Sequence, residues 1–136
     1  MKIVIAIDAS VLAKFVLKEE GWLEVAEHLK AGVVSIDQIA KEAASAVLKR
    51  HRAGGTSQDQ AGVMLKALKG LLAGAVKMEG ELAYMDEAIA ISLRRNASIY
   101  DSLYIALAKR LGLRLLTSDE RQARVAASEG VATVVI

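Results

Sequence analysis

Short apolar runs alternate with segments of helical periodicity along this chain, and the alternation limits the folds open to it. Residues 3–7 form a continuous run rich in β-branched side chains, which is typical of a strand buried on both faces of a parallel sheet. Further strands are predicted at 33–34, 75–78, 114–117 and 131–136. Because helical segments separate the strands, the sequence predicts an α/β sandwich with a mainly parallel sheet.

The connections between the predicted strands are expected to be helices, and right-handed crossovers would place them on both faces of the sheet. Gly32, Gly112 and Gly130 come directly after three of these segments, as is typical of helix ends. The helical patterns run from after Ser10 to Lys18, from Trp22 to Gly32, from a capping-box-like Ser35–Gln38 to about Arg52, and over about 57–71, 81–94, 99–111 and 120–129.

The composition excludes several classes of protein. The 136 residues, 54% of them hydrophobic, suffice for one well-packed core, so a single domain over residues 1–136 is expected. The absence of Cys excludes disulfides and thiolate metal ligands. No apolar run approaches the roughly 20 residues of a membrane span, and no signal-peptide pattern is present, so a cytoplasmic location is expected. A net charge of +2 leaves only local or metal-mediated contact with nucleic acid.

Two acidic residues follow predicted strands directly. Asp8 comes after the first strand, and Asp119 comes just after the strand at 114–117. Ligands of α/β folds bind at the carboxyl ends of the strands, so both carboxylates are predicted at the same edge of the sheet. Each has a plainer interpretation as a helix N-cap, and Thr117 with Glu120 resembles a capping box.

Asp101 opens a helix that is apolar nearly all round. It shares a stripe with Ile105 and Ala108 and has no cation three or four residues further on. A carboxylate on such a stripe is costly unless it is hydrogen-bonded, paired or bound to a metal. Its plainer interpretation is a capping box with Ser98.

Glu42 lies in the middle of a predicted helix, without a basic residue three or four positions away. A solvated surface side chain is the plainer interpretation. Together with Asp8, Asp101 and Asp119, however, it would place four carboxylates near one sheet edge, where their charges raise one another's pKa values. A divalent cation resolves this repulsion, and oxygen-only ligands favour Mg²⁺ or Mn²⁺, ions that promote phosphoryl chemistry.

Four motifs, in order along the chain, resemble those of the PIN-domain family. The first has the pattern D-x-S-x-L, the second is a glutamate within a helix, the third is an Asp that opens an Ala-rich helix, and the fourth is a T-x-D turn. They are residues 8–12 (DASVL), Glu42, residues 100–108 (YDSLYIALA) and residues 116–119 (LTSD). The resemblance covers essentially the whole chain.

This resemblance implies a three-layer α/β/α sandwich with a five-stranded parallel sheet. It also implies a Mg²⁺- or Mn²⁺-dependent ribonuclease, commonly a homodimer, that uses all four acids. Asp8, Asp101 and Asp119 would hold one or two cations, and Glu42 would help to hold a second or orient the attacking water. By analogy, Ser10 and Thr117 would orient these ligands. Stand-alone PIN domains of bacteria and archaea are usually VapC-type toxins, which implies a cognate antitoxin protein as partner.

Other functions fit the residues less well. A haloacid-dehalogenase-like phosphatase needs an Asp at position 10, where this chain has Ser. A receiver domain needs adjacent acids at the end of the first strand, where only Asp8 is present. A non-catalytic or RNA-maturation PIN protein that binds RNA or a protein remains the alternative. Phosphate contacts through basic residues are a further hypothesis, although solvated surface charge is the plainer interpretation of each: Lys14, Arg94, Arg95 and Arg121.

Overall fold

The computed structural model describes residues 2–136, and within them five strands form one parallel sheet. The strand order is β3-β2-β1-β4-β5. Each neighbouring pair is parallel, so all the carboxyl ends lie along one edge. The strands are β1 (Ile5–Ile7), β2 (Val33–Ile36), β3 (Val76–Glu79), β4 (Arg114–Thr117) and β5 (Thr133–Val135). The predicted α/β class and parallel sheet are confirmed.

Helices cover both faces of the sheet. The first four pack against one another, and the fifth packs along the sixth on the other face, as right-handed crossovers require. None of the helices in residues 2–136 combines the length and apolar character of a bilayer span. The helices are α1 (Ala9–Val16), α2 (Trp22–Ala31), α3 (Ile39–Arg52), α4 (Gln58–Gly74), α5 (Met85–Arg95), α6 (Ile99–Leu111) and α7 (Glu120–Ser128), with a 3₁₀ turn at Glu81–Tyr84 before α5.

The predicted start of α3 is wrong. Ser35 and Ile36 belong to strand β2, where they pair with β3, and the helix begins only at Ile39. The buried Ser35 hydroxyl donates to the carbonyl of Ile7 at 2.6 Å instead of capping a helix. No side chain caps α3 at Gln38. Backbone pairing with a neighbouring strand outweighs one local cap, because unpaired backbone groups in the core are costly.

Gly32 fixes how β2 enters the sheet beside β1. Its φ of +119° lies in the region that favours glycine, and a Cβ there would lie 1.9 Å from the carbonyl oxygen of Lys2. The Gly32 carbonyl accepts from the amide of Val4 at 2.9 Å. The close approach of these two backbones sets the register in which β1 and β2 reach the functional edge.

Candidate active site

Neighbouring strands bring two of the predicted acids to one edge. Asp8 follows β1 directly, and Asp119 lies two residues after β4, the strand hydrogen-bonded to β1. The amide of Asp8 donates to the carbonyl of Leu116 at 3.3 Å, which extends the pairing to the end of β4. The loops that carry both acids therefore start side by side.

Asp8 is a buried acid surrounded by hydroxyl groups. Its side chain is the N-cap of α1 and accepts from the amide of Ser10 at 3.1 Å. One oxygen accepts from Ser10 Oγ and the other from Thr117 Oγ1, both at 2.5 Å. Burial raises the pKa of Asp8 to about 6, although the hydrogen bonds from Ser10 and Thr117 oppose this rise. Capping and a place in an acidic site are thus compatible roles for one carboxylate.

The hydroxyls of Ser10 and Thr117 also shape the turn that carries Asp119. Ser10 Oγ accepts from the amide of Ser118 at 2.8 Å, and Thr117 Oγ1 accepts from the amide of Asp119 at 3.0 Å. Asp119 itself is the N-cap of α7 and accepts from the amide of Arg121 at 2.9 Å. Thr117 is therefore engaged with Asp8 and Asp119, and the alternative of a capping box with Glu120 is wrong.

Asp101 lies half-buried in the first turn of α6, close to Asp119. Burial and then the charge of Asp119 raise the pKa of Asp101, while a hydrogen bond with Ser98 and the charge of Arg121 lower it. The amide group of Gln122 on α7 donates to the backbone carbonyl of Asp101 at 3.0 Å. This bond ties the start of α6 to α7 and keeps the two acids near each other. Gln122 went unrecognised in the sequence, where a lone Gln in a helix carries no signal.

Glu42 is half-buried on α3 and reaches the same group of acids. Burial raises its pKa, the hydrogen bond from Tyr104 lowers it, and the charge of Asp101 raises it further. The Tyr104 hydroxyl donates to Glu42 Oε1 at 2.7 Å. Burial and the charges of Glu42 and Asp8 hold the pKa of Tyr104 above its ordinary value, so this hydroxyl stays a donor. Sequence reasoning missed Tyr104, since an aromatic residue on an apolar helix reads as core.

These four carboxylates have no ion-pair partner among residues 2–136. Their oxygen donors and uncompensated charge suit a hard divalent cation. In the described part of the chain, however, no three His, Cys, Asp or Glu side chains are placed to hold one ion together. The residues thus fit Mg²⁺ or Mn²⁺ in donor chemistry and charge, although three of them do not surround a common point in this structure.

Three of the basic residues considered for phosphate binding are engaged elsewhere. Arg94 and Arg95 pair with Glu129, just past the end of α7 opposite Asp119. Lys14 donates to the backbone carbonyls of Glu20 and Ile136. Arg121 is the one of the four whose charge acts on an acid of the site, namely Asp101.

One cavity in the described part of the chain includes an acid of the site. It measures about 380 Å³ and opens beside Glu42; its lining is Gln38, Lys41, Glu42, Ser45, Glu81 and Tyr100. Another, of about 440 Å³, lies between α1 and α4 and contains none of the four acids. The mixed polar cavity beside Glu42 is therefore the one relevant to chemistry at these acids.

Known proteins resemble this chain in sequence and in fold. The family model described as "PIN domain" matches residues 5–128. "Ribonuclease VapC3" of Pyrobaculum aerophilum is 32% identical over 125 residues, which are 90% of this chain and 93% of the relative. The crystal structure of PAE2754 from Pyrobaculum aerophilum has a TM-score of 0.72 at 23% identity and covers 97% of this chain and 84% of its own. A domain of a functionally unknown protein from Methanocaldococcus jannaschii has a TM-score of 0.54 at 17% identity, covering 99% and 91% respectively. These two structures support the fold alone.

Proposed function

The chain belongs to the PIN-domain family, and from that premise we propose that it is a divalent-cation-dependent ribonuclease. The observation that carries the proposal is the group of four acids at and near the carboxyl edge of the sheet: Asp8, Glu42, Asp101 and Asp119. The charge of Asp101 raises the pKa of Glu42, and the charge of Asp119 raises that of Asp101. None of the four has an ion-pair partner in residues 2–136. A relative named as a ribonuclease, similar over 90% of this chain, supports RNA as the substrate.

Asp8, Asp101 and Asp119 would hold one or two Mg²⁺ or Mn²⁺ ions, directly or through water, and Glu42 would help to hold a second ion or orient the attacking water. When bound, such an ion supplies charge stabilisation to the phosphoryl oxygens and lowers the pKa of water. Ser10 and Thr117 donate to both oxygens of Asp8. They would therefore leave the remaining lone pairs of that carboxylate directed at the ligand.

The proposed reaction is hydrolysis of a phosphodiester bond. A water oxygen bonds to phosphorus, the bond to the 3′-oxygen breaks, one proton passes to solvent and the 3′-oxygen takes one up. Glu42, which is half-buried and lines the cavity of about 380 Å³, would accept a hydrogen bond from that water. The exposed Arg121, whose charge reaches Asp101, is available to the phosphate.

The same comparison supports a toxin role. The relative's printed name, Ribonuclease VapC3, matches the VapC-type resemblance of the motifs. We therefore propose that the protein acts as the toxin of a toxin–antitoxin pair, with a cognate antitoxin as partner and a homodimer as its assembly. Co-expression with the antitoxin should relieve growth arrest caused by the active chain, and the inactive Asp8→Asn chain should cause no arrest.

The direct test is cleavage of a fluorogenic single-stranded RNA with Mg²⁺, with Mn²⁺ and with EDTA. Asp8→Asn and Asp101→Asn remove one charge each with little change of shape, and each should lower the cleavage rate by at least about 100-fold. The matched control is Glu27→Gln, because Glu27 is an exposed acid on α2 that pairs with Lys30. Its rate should equal that of the wild type.

The other outcomes discriminate among the alternatives. Cleavage that survives in both Asp→Asn variants would place the activity elsewhere or in a contaminant. Binding of Mn²⁺ without cleavage of a general RNA would indicate a narrow RNA target. If the protein neither cuts RNA nor binds Mn²⁺, the result would support the non-catalytic alternative, a domain that binds RNA or a protein.

A further inference from the structure

Tyr104 connects the helix that carries one candidate acid to the side chain of another. It lies on α6 three residues after Asp101, and its side chain is only 2% exposed. Its hydroxyl donates to Glu42 Oε1 on α3 at 2.7 Å. Within residues 2–136, Tyr104 alone donates a side-chain hydrogen bond to Glu42. The contact therefore joins the helix that carries Asp101 to the acid on the opposite helical layer.

We propose that Tyr104 is a positioning residue that fixes the carboxylate of Glu42 relative to Asp101; this rests on the proposed function of those acids. A Glu side chain has three rotatable bonds and much rotamer entropy to lose. A Tyr ring has two, and the packed core around Tyr104 already holds them. One hydrogen bond from a fixed ring thus restricts the flexible carboxylate of Glu42. It also favours the ionised form of Glu42, which the charge of Asp101 disfavours.

The general need to satisfy a buried hydroxyl would by itself produce a contact of this kind, so the test needs a tyrosine that makes one away from the site. Tyr84 offers the comparison, because it is also buried, at 4% exposed, and its hydroxyl also donates to a glutamate, Glu79, at 3.3 Å. Glu79 belongs to edge strand β3 and none of the four acids contacts Tyr84. Tyr84→Phe therefore removes a similar bond without touching the site, and it serves as the matched control.

The test compares Tyr104→Phe with Tyr84→Phe, since Phe keeps the packed ring. Mn²⁺ affinity is measured by isothermal titration calorimetry without RNA, and cleavage gives kcat and KM separately. Tyr104→Phe should weaken Mn²⁺ binding by about 10- to 100-fold and lower kcat by a similar factor, with KM for RNA nearly unchanged. Tyr84→Phe should change neither, although both variants lose a buried bond.

A double-mutant cycle shows whether the effect passes through Glu42. If it does, Tyr104→Phe should cause no further loss of Mn²⁺ affinity or kcat in a Glu42→Gln background. An equal loss in both backgrounds, or a change in melting temperature with affinity and kcat intact, would overturn the positioning role.

Crystal structures of the wild type and Tyr104→Phe keep this inference separate from the nuclease assignment. Should the wild type bind no Mn²⁺ and cut no RNA, the proposed function fails. The positioning claim is then judged on whether the Glu42 carboxylate occupies one conformation in the wild type and several in the variant. One unchanged conformation in both would refute it.

Discussion

The burial of Asp8 destabilises the folded state while it places a carboxylate in the candidate site. It is 5% exposed, and its neighbours are hydroxyl and amide donors without a full positive charge. These donors favour the ionised form, yet desolvation is the larger effect and raises the pKa to about 6. At neutral pH, folding therefore buries a charge that water would solvate better.

Removing the charge of Asp8 should stabilise the protein at neutral pH. The folded pKa lies above the ordinary value of 3.8, so the folded state binds the proton more tightly and loses stability as pH rises from about 4 through about 6. That difference in pKa corresponds to about 3 kcal/mol. Relative to the wild type, Asp8→Asn should gain up to about 3 kcal/mol in unfolding free energy between pH 4 and pH 8.

Urea unfolding in EDTA at the two pH values measures this gain. The comparison across pH cancels the altered hydrogen bonding of Asn, which is the same at both. Glu27→Gln provides the control and should track the wild type throughout. A stability difference between Asp8→Asn and the wild type that is equal at pH 4 and pH 8 would contradict the raised pKa.

At the scale of elements, three helices meet at one buried glutamate. The carboxylate of Glu129, at the end of α7, has 2% of its side chain exposed. It accepts from Arg94 and Arg95 of α5 at 2.7 Å each, and from Lys109 of α6 at 3.0 Å. The hydrogen bond from Arg94 is the chief cause that lowers the pKa of Glu129 to about 2. Arg94 and Arg95, which were candidates for phosphate binding, instead help to hold α5, α6 and α7 together.

Glu129→Gln should destabilise the fold, and the loss should depend on pH. A lowered carboxylate pKa stabilises the folded state above the ordinary value of 4.5, and this contribution disappears as pH falls to about 2. The three cations are about half exposed, so solvent screening reduces the loss at pH 7 to about 1–2 kcal/mol. Urea unfolding at pH 7 and pH 2.5 measures it, and the loss should shrink at the lower pH.

Glu27→Gln is again the matched variant, because the Glu27–Lys30 pair is about three-quarters exposed on both sides. It should leave stability unchanged at either pH. Destabilisation by Glu129→Gln that is equal at both pH values would show that shape, and not charge, makes Glu129 important.

Elements could be predicted from the sequence where a local pattern decides them. The strand at 114–117 and the helix at 99–111 have the same bounds in the structure, because each begins and ends at a local signal such as Gly112. The edge that Asp8 and Asp119 share follows from a parallel sheet alone. Local pattern was enough for these features.

The features that the sequence predicted wrongly or missed depend on contacts between residues far apart in the chain. Ser35 looks like a helix cap until β3, some 40 residues further on, pairs with it. Tyr104 looks like core until α3 brings Glu42 within 2.7 Å. Neither partner is visible to a pattern of neighbours three or four residues apart, so hydroxyl and amide contacts between elements require the folded chain.

At the scale of the whole molecule, the candidate site exists only when the sheet and both helical layers have formed. Its acids come from the ends of β1 and β4 and from α3 and α6, and they span residues 8 to 119. An unfolded chain cannot present the four together. Any ion that they bind jointly therefore stabilises the folded state by mass action.

Mn²⁺ should raise the melting temperature of the wild type, and EDTA should reverse the rise. At an ion concentration 100 times Kd the gain is about 2.7 kcal/mol, and for a domain of this size that corresponds to roughly 10 °C. Differential scanning fluorimetry measures the shift across a Mn²⁺ titration. Asp101→Asn should lose most of it, because Asp101 is the acid whose charge acts on Glu42 and is acted on by Asp119. Glu27→Gln should retain the full shift. An equal shift in Asp101→Asn would mean that the ion binds elsewhere on the molecule, and the four acids would then need an explanation other than cation binding.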